Sequence, residues 1–184
     1  MAKNTDLQYI RSLILKEHSR RNMLEIVDYI GSDPSRFEAL VQLLLAGEYR
    51  ITQRGAWPLS YCIRAHPELI RKHLSHLVVK LETSDNNALI RNILRFLKDV
   101  DIPASESGQV MTVCFDLVQD PAAPAAHRAF ALSILGRLAE HYPDIREEIR
   151  LCIEDQLPYA KPSFRSTARR VLASFSGGKK SRKK

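Results

Sequence analysis

The sequence predicts an all-α protein whose helices stack in pairs as a repeat array, and three observations carry that expectation. Apolar residues recur at helical spacing along nearly the whole chain. Strict apolar/polar alternation is absent over any useful length, and no Asn-Gly or Asp-Gly dipeptide offers a hairpin turn. Short apolar segments and helix-entry sequences also recur at intervals of one helix pair.

Two short helices are expected near 5–18 and 21–31. Ser32-Asp33-Pro34 then gives a start signal, with proline where the first helical turn tolerates it, and Phe37, Leu40, Val41 and Leu44 form the stripe behind it. The next helix, over 48–66, contains Pro58, which is expected to kink it or to mark where its regular part begins. Pro67-Glu68 opens a stripe of Leu69, Ile70, Leu74, Leu77, Val78 and Leu81, and Ser84-Asp85 reads as the cap before Leu89, Ile90, Ile93, Leu94 and Leu97. Val110, Val113, Cys114, Leu117 and Val118 follow, then Phe130, Ile134, Leu135 and Leu138. Pro143-Asp144 opens Ile145, Ile149, Cys152 and Ile153, and Phe164, Ala168, Val171, Leu172 and Phe175 complete a series of ten helices.

The helices repeat in pairs. Leu59-Ser60-Tyr61-Cys62, Arg91-Asn92-Ile93-Leu94, Leu132-Ser133-Ile134-Leu135 and Arg169-Arg170-Val171-Leu172 align with offsets of 32, 41 and 37 residues. His66-Pro67-Glu68-Leu69 recurs as Tyr142-Pro143-Asp144-Ile145, with Asp101-Ile102-Pro103 at the junction between them. One amphipathic pair cannot bury both its apolar faces, whereas stacked pairs cover each other. Five pairs result, near 5–31, 34–66, 68–99, 104–141 and 144–176.

The short loops, the Pro-acidic entries and this spacing resemble HEAT and armadillo repeats over about residues 32–176. The resemblance implies a right-handed α-α superhelix, with a packed helical bundle as the competing architecture. Residues 1–176 are expected to form one helical-repeat domain, with 1–31 as N-terminal capping helices and 177–184 as a disordered basic tail. Ala56-Trp57-Pro58-Leu59-Ser60 looks like the Trp-bearing helix with which armadillo proteins hold an extended peptide. That family places an asparagine four residues after the tryptophan; here Tyr61 stands there, so the peptide-binding array is not carried over. Trp57 reads first as packing and second as an aromatic contact for a ligand.

Composition narrows the function. The chain has 184 residues, 45% hydrophobic and 27% charged, with seven Gly and nine Pro, as in an ordinary globular protein. No apolar run reaches the roughly 20 residues of a membrane span, and the first twenty residues do not read as a signal peptide. Cys62, Cys114 and Cys152 lie singly among aliphatic residues, which suits buried thiols in a reducing, cytoplasmic compartment. Walker, GxGxxG, HExxH and GxSxG motifs are absent, so no catalytic residue, cofactor or metal is expected. His73 and His76 could share a helix face without a third ligand, and read as a solvated pair.

Charge gives the sharpest functional clue. Net charge is +7, from 28 Lys+Arg against 21 Asp+Glu. Lys179, Lys180, Arg182, Lys183 and Lys184 supply five of those cations, and without them 23 stand against 21, a net of +2. The second helix of each pair (48–66, 85–98, 122–141 and 161–175) carries +2, +2, +1 and +4, or +9 together, whereas the first helices of the same pairs total -4. In HEAT-like arrays the second helices line the concave side. The resemblance therefore implies a basic concave face of Arg54, Arg91, Arg95, Arg128, Arg137, Arg165, Arg169 and Arg170. Such a surface concentrates potential on an anion. The expected role is a non-catalytic protein-binding or scaffold module, with an acidic protein segment as partner. The alternative is nucleic-acid binding through the same face and the basic tail. HEAT-like alkylpurine DNA glycosylases are a precedent for that alternative, but they use an acid and aromatic residues in the groove. Here the second helices offer only Glu48, Asp85, Glu140 and a single Trp.

Overall fold

A computed structural model describes residues 3–177. They form ten α-helices: α1 Asn4–Lys16, α2 Arg20–Ile30, α3 Pro34–Leu45, α4 Tyr49–Ala65, α5 Leu74–Thr83, α6 Asn87–Leu97, α7 Ala104–Gln119, α8 Ala125–His141, α9 Arg146–Gln156 and α10 Pro162–Gly177. Short 3-10 segments at Pro67–His73, Pro143–Ile145 and Leu157–Tyr159 join α4 to α5, α8 to α9 and α9 to α10. The order and number of helices agree with the sequence pattern, and no strand occurs among the described residues.

Local chemistry sets the boundaries. The Asp33 carboxylate accepts from the Ser35 and Arg36 amides at 2.8 and 3.2 Å, with Pro34 in the first turn, so α3 starts where the sequence signal lies. Gly31 and Gly47, with φ of 49° and 77°, take the backbone through the turns after α2 and α3, a region that side chains disfavour. The cap of α6 is a correction: Asn86, not Ser84-Asp85, accepts from the Ala88 and Leu89 amides, while the Ser84 hydroxyl accepts from the Asn86 amide. Pro58 lies inside α4 without ending it.

The contacts gather into two compact units, one up to Phe96 and one from Leu97. In the first unit α1 packs on α2 and α3 on α4, while α1 also lies on α3 and α2 on α4. In the second, α7 pairs with α8 and α9 with α10, while α7 lies on α9 and α8 on α10. First helices thus stack on first helices and second on second, the arrangement of a repeat stack within each unit.

Ile10, Ile14, Ile26, Phe37, Leu40 and Leu59 fill the core of the first unit; Val110, Cys114, Leu132, Leu135, Ile149, Ile153 and Phe164 fill that of the second. Ile90, Leu117, Phe130, Ile145, Leu172 and Phe175, on the expected stripes, are only half-buried, because a stripe wider than its contact leaves its edge at the rim. All three cysteines are free and buried. His73 departs from expectation: it is buried with its ring 5.8 Å from Phe37, while His76 is exposed. The 3-10 segment at Pro67–His73 turns the two residues to different sides.

Candidate binding site

The second helices of the pairs carry the residues of interest, and each unit presents them differently. In the first unit, Asn92 is buried on α6 and donates to the Thr52 carbonyl on α4 at 2.9 Å, a bond that ties α6 to α4. Arg91 and Arg95, one turn apart on α6, then flank a cleft of about 260 Å³. Its other walls are Ala88, Asn92, Gln53 and Trp57 with His18, the residue two beyond the end of α1. The Trp57 and His18 rings lie 5.5 Å apart with their planes at 59°. No acid lines the cleft, and no acid pairs with Arg91 or Arg95 among the described residues. Trp57 is half-buried, so it packs and also faces the cleft.

Three other arginines of the expected face are held by the fold. The Arg54 guanidinium donates to the Ile14 and Leu15 carbonyls at 3.4 and 3.2 Å, satisfying the C-terminal end of α1. Arg128 is buried: it donates to the Val118 carbonyl at 3.0 Å and to Gln156 Oε1 at 2.6 Å, and lies 4.9 Å above the Phe164 ring. Arg137 donates to the Leu97, Lys98 and Val100 carbonyls, where the second unit begins. Counting charge by helix could not separate these from open arginines, because the acceptors are main-chain oxygens up to 40 residues away.

On α10, Arg165, Arg169 and Arg170 are exposed. Arg165 reaches the Pro158 carbonyl at 3.2 Å and Arg170 the Thr167 hydroxyl at 3.4 Å, and none of the three has an acidic partner among the described residues. Arg170 also borders a cleft of about 550 Å³ between α8 and α10, where Lys98 and Arg137 meet Asp99 and Glu140. Lys179, Lys180, Arg182, Lys183 and Lys184 lie outside the described residues.

A HEAT repeat domain matches residues 10–175. The chain belongs to the HEAT repeat family. No curated protein and no solved structure matches it. HEAT repeats generally mediate protein–protein interactions. No helix among the described residues is long and apolar enough to cross a membrane.

Two kinds of residue bear on what this HEAT-repeat chain can do chemically. Burial pushes the Cys62 thiol up to about 12 and raises that of Cys114 further, which keeps both protonated and inert near neutral pH. Burial, followed by the nearby Lys72, holds His73 below the ordinary histidine value, and its Nε2 has no hydrogen-bond partner. Sequence reasoning missed His18, Gln53 and Asn92 as cleft residues. Gln53 stands four residues before Trp57 and so shares its helix face, a signal that was legible; His18 reaches the cleft only through tertiary packing.

Proposed function

We propose that this HEAT-repeat chain is a non-catalytic module that binds an acidic segment of a protein partner through arginines on the second helices of its pairs. The observation that carries this reading is the set of guanidiniums without acidic partners: Arg91 and Arg95 on α6, and Arg165, Arg169 and Arg170 on α10. The family's general role in protein–protein interaction supports it. So does the state of Cys62 and Cys114, which are no nucleophiles at neutral pH. A polyelectrolyte would need a longer run of open cations, and Arg54, Arg128 and Arg137 are bonded to carbonyl oxygens.

The test is fluorescence anisotropy with a labelled acidic peptide, a DNA duplex and an RNA strand, each at two salt concentrations. The full chain is compared with one ending at Ser176, and with Arg91→Glu/Arg169→Glu in that shorter background. Peptide binding should survive the shortening and fall with the two charge reversals. Nucleic-acid binding that also survives the shortening, exceeds peptide binding and vanishes on charge reversal would replace this reading with the polyanion one. Loss of duplex binding on shortening alone would mark it as unspecific attraction to the tail.

A further inference from the structure

We propose that the α4–α6 cleft is the seat for a phosphorylated side chain on the partner's acidic segment. This inference rests on the protein-partner reading and adds what one part of the surface recognises. Arg91 and Arg95 stand at i and i+4 on α6, so both guanidiniums address the same space. The helix presenting them is tied to α4 by the buried Asn92 side chain on the Thr52 carbonyl.

Charge selects the occupant. The lining holds two arginines and no carboxylate. By contrast, the α8–α10 cleft contains Asp99 and Glu140 beside its cations, and the shallow one beside α2 contains Glu25 and Asp28 beside Lys16, Arg20 and Arg21. Each of those two sets two carboxylates against three cations; the α4–α6 cleft sets none against its two. A single carboxylate would offset one guanidinium. A phosphate monoester carries about -1.5 to -2 near neutral pH and offers three acceptor oxygens, which matches two forked donors. Gln53 and Trp57 line the cleft as well, and neither side chain carries a charge that would compensate the two guanidiniums.

Size points the same way. About 260 Å³ accommodates one side-chain head group and falls below the usual range for an independent small-molecule site. A nucleic-acid phosphodiester brings one charge per phosphate and must continue as chain on both sides. A side-chain phosphate enters from one side and leaves the peptide outside.

Trp57 is the chain's one tryptophan, so its emission reports on this cleft without a label. The full chain is titrated with a Trp-free, Asp/Glu-rich peptide carrying one phosphoserine, with the same peptide unphosphorylated, and with a single-stranded oligonucleotide. The phosphopeptide should shift Trp57 emission and bind at least about tenfold tighter than its unphosphorylated form, the worth of one charge-assisted hydrogen bond. Arg91→Gln/Arg95→Gln should abolish that advantage, and Lys80→Gln on the exposed side of α5 should keep it. Unchanged melting curves would show that each variant folds.

Equal affinity for the two peptides would overturn the phosphate seat while leaving the protein-partner reading intact. Binding of neither peptide would remove both. A phosphate advantage that persists in the double arginine variant, or a stronger Trp57 response to the oligonucleotide, would also refute the assignment.

Discussion

Arg137 and Arg91 are the same residue type, each on the second helix of a pair, yet they do opposite things. Arg137 satisfies three carbonyl oxygens at 97–100, whereas Arg91 is exposed beside an acid-free cleft. Arg137→Ala should therefore cost about 1–3 kcal/mol, the penalty of leaving acceptors poorly satisfied, while Arg91→Gln should stay within about 0.5 kcal/mol. Urea denaturation of the two variants measures the difference directly. Two glycines make a similar contrast. A Cβ on Gly136 would come within 2.8 Å of the branched Val171 side chain, where α8 and α10 approach closely. A Cβ on Gly55 would meet the far ends of Leu44 and Ile14 at 3.1 and 3.3 Å, which can move aside. Alanine gains about 1 kcal/mol of helix propensity at either site. Overpacking against a stiff side chain exceeds that gain at Gly136, so Gly136→Ala should lower the melting temperature and Gly55→Ala should leave it nearly unchanged.

At the scale of an element, the 3-10 segment Pro67–His73 places one histidine inside. His73 sits against Phe37 with its pKa depressed by burial first and by Lys72 second. The unfolded chain therefore takes up the proton before the folded one. Stability from this group is full above the ordinary histidine value of about 6.5 and is lost as pH falls through the depressed folded value. The urea midpoint of the native chain should decline as pH falls below the ordinary histidine value of about 6.5, and His73→Leu should flatten that decline. The Asp33 cap titrates in a separate window: the Arg36 and Ser35 amides hold its carboxyl below the usual carboxylate range, so its contribution disappears only at more acid pH. Helix starts were legible where one residue decides them, as at Asp33-Pro34. The start of α6 was misjudged because Ser84, Asp85 and Asn86 are all good caps. Asn86 holds the position through a further bond, from its side-chain amide to the Gly47 carbonyl at 2.9 Å, which no local pattern reveals.

At the scale of the molecule, the sequence by itself determined the class, the ten helices, their pairing and family membership, because an amphipathic helix writes its buried face into its periodicity. It also located the charge, with +9 on the second helices and five cations beyond Ser176. Tertiary structure alone decided which of those charges are open. A guanidinium reaches far enough to cap a helix distant in sequence, so Arg54, Arg128 and Arg137 became structural only once α1, α7 and the turn after α6 were in place. The same packing brought His18 and Trp57 from one side and Arg91 and Arg95 from the other around one cleft. Periodicity fixes which face of a helix is buried; what the polar face meets depends on neighbours that only the folded chain supplies.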